Sequence, residues 1–237
     1  MQLNASYTYS KTLDELSDAF RAKALGALNA AAVEDSSNVH LNYGPADFDV
    51  RHRVVASYNY DLPFARGNRW LGGWQLNGVF SWQTGVPTPV FDLANDSNHD
   101  GLFGSDRPEY AAGFNGLNVN TNRSAGIQFL NPNAYVSTTC PPTVNGGFWC
   151  NSTMARNDVY GPHFVNLDFG LGKTFKITES SKLTFFANFF NLFNHPNFDT
   201  PQGNFSDINF GKSQQSVGND GPSTGHRVGQ LALRFDF

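Results

Sequence analysis

Apolar and polar residues alternate with a period of two in six separate stretches of the chain. That period belongs to strands that show one face to an apolar medium and the other to a polar one. In 2–10, Leu3, Ala5, Tyr7 and Tyr9 alternate with Asn4, Ser6, Thr8 and Ser10. In 51–62, Val54, Ala56, Tyr58, Tyr60 and Leu62 oppose Arg53, Val55, Ser57, Asn59 and Asp61. Segment 74–84 sets Trp74, Leu76, Gly78, Phe80 and Trp82 against Gln75, Asn77, Val79, Ser81 and Gln83. Segment 163–175 sets Val165, Leu167, Phe169, Leu171 and Phe175 against Asn166, Asp168, Gly170 and Thr174. In 182–192 Phe186 and Phe190 join the polar face of Thr184 and Asn188. The last segment, 225–237, sets Leu231, Leu233, Phe235 and Phe237 against Gln230, Ala232, Arg234 and Asp236. Six strands are predicted.

The connections between them are 11–50, 63–73, 85–162, 176–181 and 193–224. They run long, short, long, short, long. A soluble sandwich alternates too, but its connections are usually about 2–6 residues. Short turns at one end and long loops at the other are the habit of a transmembrane barrel. The expected fold is therefore all-β, an antiparallel transmembrane β-barrel segment with external loops 11–50, 85–162 and 193–224. The final strand then runs inward and leaves Phe237 at the periplasmic face. Strand length agrees, since a tilted transmembrane strand needs about 9–11 residues. Trp74 and Trp82 share the apolar face, roughly 20 Å apart in height, close to an apolar band with aromatic girdles. Tyr60, Phe175 and Phe237 fall at the lower girdle, Tyr7 and Tyr9 at the upper. Lys173 is the one charge on these outward faces, near a strand end where it is expected to snorkel. In the first loop Thr12-Leu-Asp-Glu15 has capping-box spacing. Leu13, Leu16, Phe20 and an Ala-rich stretch to Ala32 follow, which predicts one loop helix.

Composition supports the division into two faces. Charged residues make up 15%, against roughly 25% in soluble domains. Aromatics reach 14%, yet the mean hydropathy is −0.38. A net charge of −4 and no Lys/Arg stripe argue against a nucleic-acid partner. No run approaches the ~18 apolar residues of a membrane helix. The start, Met1-Gln-Leu-Asn-Ala, lacks a basic n-region and an apolar h-region, so the chain is expected to begin in mid-protein.

Catalytic motifs find little support. Gly170-Leu-Gly-Lys-Thr174 imitates the end of a phosphate loop, but Leu167 stands where its first Gly belongs and the residues lie in an alternating strand. The six His residues form no His-x-x-x-His pair, and no Gly-x-Ser-x-Gly elbow exists. No enzyme is expected. His195 is expected to cap the turn leaving the fifth strand. Cys140 and Cys150 flank a short stretch of the longest loop with no further ligand nearby, so outside the cell they predict a disulfide. Asp96-Ser-Asn98-His-Asp100-Gly101 places oxygen ligands at alternate positions before a glycine turn, as a Ca²⁺ loop does. The Leu102 carbonyl and Asp106 complete the expected calcium site, although Arg107 stands where a Ca²⁺ loop carries its bidentate Glu. The long loop offers few candidates for a core of its own, so the ion is expected to order it. A solvated polar turn is the rival reading.

Gly229-Gln-Leu231-Ala-Leu233-Arg-Phe235-Asp-Phe237 resembles the C-terminal signal by which outer-membrane proteins reach the barrel-assembly machinery. Tyr43-Gly-Pro-Ala-Asp-Phe-Asp-Val-Arg-His-Arg53, Tyr60-Asp-Leu-Pro-Phe64, Leu71-Gly-Gly-Trp-Gln-Leu76, Gln83-Thr-Gly-Val-Pro87, Asp106-Arg-Pro108 and Phe189-Phe-Asn-Leu-Phe-Asn-His-Pro-Asn-Phe198 occur in order. Together they resemble the barrel end of Oar-like TonB-dependent receptors, the kind with a carboxypeptidase-regulatory-like domain. The resemblance implies a barrel of about 22 strands with a plugged lumen, of which this chain holds the last six. It also implies outer-membrane lipid, the assembly machinery, a plug domain and, indirectly, TonB as partners. The expected function is energy-coupled uptake across the outer membrane of a Gram-negative type bacterium. The alternative is a surface adhesin or structural barrel whose loops bind a macromolecule, and a soluble β-rich lectin stands third.

Overall fold

The computed structural model describes residues 1–17, 33–35, 37–65, 68, 70–99, 106–120, 128–141, 150–214, 216–217 and 225–237. Six long strands form one antiparallel sheet: β1 (Gln2–Tyr9), β4 (His52–Asp61), β5 (Trp74–Gln83), β8 (Phe164–Lys176), β9 (Lys182–Phe190) and β10 (Val228–Asp236). Each pairs with its neighbour in the order β1-β4-β5-β8-β9-β10. Two short pairs lie outside the sheet, β2 (Leu13–Asp14) with β3 (Gly44–Pro45) and β6 (Glu109–Tyr110) with β7 (Tyr135–Val136). Among the described residues the six-stranded sheet is open, with β1 and β10 at its edges.

Pleating keeps cross-strand partners on one face, and here the register matches apolar to apolar across every pair. Leu3 faces Tyr58, Val54 faces Trp82, Leu76 faces Leu171, and Leu183 faces Phe235. Among the described residues no other strand packs on that apolar face. Tyr7 is 62% exposed, Leu231 70% and Phe235 52%. So broad an uncovered apolar surface marks a site of contact with another apolar phase.

The strands end a little inside their sequence-derived limits. β9 stops at Phe190 because Asn191 turns to a φ of +49° and bonds across the turn. Two short turns close one end of the sheet. Leu62 donates to Trp74 O (2.9 Å) and Ile177 to Ser181 O (2.9 Å). Lys173 corrects the snorkelling expectation. It is buried, its ammonium donates to Gly72 O, and it lies 5.0 Å from the ring centroids of both Trp74 and Phe175. The turn carbonyl and two aromatic faces hold the cation in place of water.

The hydrophobic core sits in the loops, which corrects the view of 85–162 as poor in core residues. Val90, Val119, Phe129, Leu130, Ala134, Tyr135, Met154 and Val159 pack with Phe210 of the last loop. Tyr110, Phe114 and Phe205 surround them. Full burial stabilises by about 1.5–3 kcal/mol for each large side chain, and Leu130, Val119 and Val159 are almost wholly buried. Backbone bridges Phe91–Asn204 and Gln128–Lys212 stitch the second loop to the third. The predicted helix start is also corrected, since Leu13–Asp14 pairs with Gly44–Pro45 as a strand. Most of the predicted helix, 18–32, lies outside the described residues.

Candidate functional site

A concavity of about 490 Å³ spans β1, β4, β5, β8 and β9, and the apolar Val79, Phe169, Phe189 and Phe190 line it together with amides of the polar face. One cross-strand row runs through its middle. Gln2 faces Asn59, Asn59 faces Asn77, Asn77 faces Gly170, Gly170 faces Asn188, and Asn188 faces Gln230. Five carboxamides and one glycine thus cross all six strands. A Cβ on Gly170 would meet Asn77 Oδ1 and lie 2.7 Å from Asn188 Oδ1, so the two amide oxygens lean over it from both sides.

Several charges on this face are held by hydrogen bonds within it. Asp168 accepts from Asn166 Nδ2 (2.9 Å) and from the Asn191 amide (3.0 Å). Asp61 accepts from Gln75 Nε2 (3.1 Å), and Arg234 donates from Nε to Asp236 Oδ1 (2.7 Å). Arg53, opposite Gln83, lies on the same polar side of the register as Asp61, Asp168, Arg234 and Asp236. Residues 170–174, the phosphate-loop imitation, lie inside β8.

Above the sheet, buried polar side chains lock loop to loop. Asp47 Oδ1 accepts from Asn157 Nδ2 (2.7 Å) and Arg156 Nη2 (3.2 Å). Asp49 accepts the Thr12 amide (2.8 Å), Arg51 Nε (2.5 Å) and the Tyr160 hydroxyl (3.1 Å). Arg107 donates to Met154 O (2.8 Å) and Asn42 Oδ1 (2.9 Å) and pairs with Glu34. Burial pushes the Glu34 carboxyl up to about 7, against the pull of Arg107. The same burial lowers Arg107. Asn197 mimics a strand partner, accepting from Val165 N (2.8 Å) and donating to Val165 O (2.9 Å). Asn191, and not the His195 side chain, closes the turn after β9. Its amide bonds the His195 carbonyl and nitrogen, both at 2.9 Å.

The calcium candidates fall within this network. Asp106 is buried and accepts from Ser97 Oγ (2.8 Å), while Asn98 Nδ2 donates to Glu34 O. Asp96 lies in the same turn, and Asp100, Gly101 and Leu102 lie outside the described residues. Among the described residues no group of three His, Cys, Asp or Glu is placed to hold a metal ion. Cys140 and Cys150 are joined as a disulfide with a Cα separation of 5.5 Å, and the Cys150 amide donates to Ser97 O (3.0 Å). The bridge therefore adjoins the candidate calcium turn.

A family model for an outer membrane beta barrel domain matches residues 1–230. The chain belongs to that family. Neither a curated protein nor a solved structure matches it. In an outer-membrane barrel wall the apolar face meets lipid and the polar, concave face looks into the lumen. The folded loops stand at the end opposite the short turns. Gly229, Leu231, Leu233 and Phe235 lie in β10 opposite Phe189, Ala187, Phe185 and Leu183. Phe237 follows the strand, 95% exposed, with its ring stacked on Phe235 at 5.8 Å.

Proposed function

We propose that the chain is one arc of a larger outer-membrane receptor and transporter that takes up its ligand by TonB-coupled energy. The observation that carries the reading is a two-faced wall, apolar outside and amide-lined inside, roofed at one end by a dome of folded loops. β1 and β10 each pair along one edge only among the described residues. Lipid cannot satisfy the backbone groups of an open edge, so further strands must close the wall. Membrane barrels have about eight strands or more. The ordered motifs shared with Oar-like receptors favour about 22, with a plug in the lumen.

In this reading the lumenal row meets the plug or the passing ligand, and TonB acts through the plug-bearing part of the receptor. The β10 strand with Phe237 addresses the protein to the barrel-assembly machinery. The chain recognises and conducts, and carries out no chemistry of its own. The test is uptake by cells lacking the gene, measured over a panel of labelled nutrients with and without a protonophore. Loss of one energy-dependent uptake supports the reading. Unchanged uptake together with lost surface adhesion would replace it with the adhesin alternative.

A further inference from the structure

We infer that the carboxamide row of the lumenal wall binds a neutral, hydroxyl-rich ligand, a short uncharged saccharide, in the concavity over Gly170. The inference rests on the proposal that this face lines the lumen of an outer-membrane receptor, and adds the chemical class of what passes.

Three observations converge. The first is supply of hydrogen bonds. Each carboxamide offers two donors and an accepting oxygen without charge. Gln2, Asn59, Asn77, Asn188 and Gln230 form one continuous line. No hydrogen bond to another described residue engages these five side chains, and Gln2, Asn59, Asn77 and Asn188 line the concavity. Ser57 and Asn4 lie in its lining beside them.

The second is the charge of the lining. Asp168 is its single ionisable acid or base apart from the Tyr58 phenol, and its carboxylate already accepts two hydrogen bonds. No Lys, Arg or His lines the space. An anionic ligand such as a phosphate or a carboxylate would find no cation, and a cationic ligand only a committed carboxylate. Uncharged hydroxyls match amides that both donate and accept.

The third is shape. Gly170 has no Cβ, and Asn77 Oδ1 and Asn188 Oδ1 crowd into the space a Cβ would take, which sets two acceptors side by side. A pair of neighbouring hydroxyls can donate to those two oxygens. Phe190 at the rim offers an apolar surface for the C–H face of a sugar ring. A volume of about 490 Å³ lies within the range of small-ligand sites.

The experiment uses the full-length protein encoded by the gene, purified in detergent and shown folded by heat-modifiable mobility. Calorimetry measures binding of maltotriose, cellotriose, xylotriose and mannotriose, with trigalacturonate and inorganic phosphate as charged probes. At least one neutral trisaccharide should bind, with affinity insensitive to salt. Asn77→Ala with Asn188→Ala should weaken it about tenfold or more, the scale of one or two lost hydrogen bonds. Gly170→Ala should weaken it by forcing the Asn77 and Asn188 amides apart.

Three outcomes overturn the inference: no binding of any neutral probe to the folded protein, preference for a charged probe, or equal binding by the double variant. So does a double variant that keeps saccharide affinity and loses thermal stability, since the row would then hold the plug. Saccharide binding without energy-coupled uptake would instead leave this site standing and remove the transport proposal.

Discussion

Arg107 and Glu34 face each other as an ion pair inside the loop dome, their side chains 8% and 0% exposed. The pair joins the first external loop to the second, and Arg107 also holds Met154 O and Asn42 Oδ1. Burial penalises the Glu34 carboxylate more than Arg107 and the Ser152 amide favour it.

The dome should accordingly loosen as pH rises. The folded Glu34 pKa, about 7, lies above its ordinary value of 4.5. Between these values the folded chain keeps a proton that the unfolded chain has released. Stability from this group is full below 4.5 and is lost as pH rises through 7. Limited proteolysis of the loops from pH 5 to 8 should show cleavage increasing with pH. Arg107→Met should cost about 3 kcal/mol at pH 8, where Glu34 loses its counter-charge, and less at pH 5. A flat profile in the parent would refute the assignment.

Gly85 lies against the backbone of the strand entry opposite. A Cβ there would strike Gly161 O and lie 2.7 Å from Pro162 O. Both are backbone atoms, held in place where Gly161 N donates to Val86 O (2.8 Å). Gly85→Ala should destabilise the dome by about 1–3 kcal/mol, read as a lower unfolding midpoint with the strand signal unchanged. An unaltered midpoint would mean that the two segments can separate.

Strands were legible from the sequence because a pleat forces alternation, and lipid outside with water inside sharpens it. Leu3, Tyr58 and Gly78 could be put on one face before any pairing was known. The loop core was not legible, since Phe210 meets Leu130 and Tyr135 through contacts between separate loops that leave no local period. The locks were visible only as a resemblance. Asp47, Asp49, Arg107 and Asn197 stood in quoted motifs, and their physical role emerged once Arg156, Tyr160, Glu34 and Val165 were found beside them. The amide row needed the register, because Gln2, Asn59, Asn77, Asn188 and Gln230 are far apart along the chain.

The disulfide should be present in protein taken from the outer membrane. Non-reducing peptide mapping should recover Cys140 joined to Cys150. The closed loop is short, so reduction or Cys140→Ser should cost roughly 3 kcal/mol or less. Because Ser97 O accepts the Cys150 amide, the loosening should reach 96–98 first by hydrogen exchange. Two free thiols in native protein would contradict the bridge.

Calcium binding by Asp96, Asn98 and Asp100, with the Leu102 carbonyl, is proposed on the oxygen pattern and the Gly101 turn. With few carboxylates the affinity should be on the order of 10⁻⁴–10⁻³ M, suited to calcium outside cells. Asp100→Ala should weaken binding measured by calorimetry on the assembled protein. Asp106→Ala should loosen the dome with or without calcium, because Asp106 also accepts from Ser97 Oγ. Absence of any calcium heat would leave only the polar turn.

Removing Phe237 should impair insertion more than ligand binding. Leu231, Leu233, Phe235 and Phe237 alternate outward, and the first three are 70%, 67% and 52% exposed. Only lipid, or a machine that hands strands to lipid, gains from such a row at the end of a strand. Along its paired edge β10 holds β9 from Val228 to Asp236, and Phe237 lies beyond that ladder. Its loss therefore removes no sheet hydrogen bond and no core contact, apart from its stacking on Phe235. A purely structural role would leave assembly nearly unchanged, with a cost within about 1 kcal/mol. A recognition role predicts a severalfold drop in the amount reaching the outer membrane, with normal ligand affinity in the fraction that assembles. Phe237→Tyr should restore most of the yield, and Phe237→Asp should not. Normal outer-membrane levels of the truncated protein would remove the assembly role from β10.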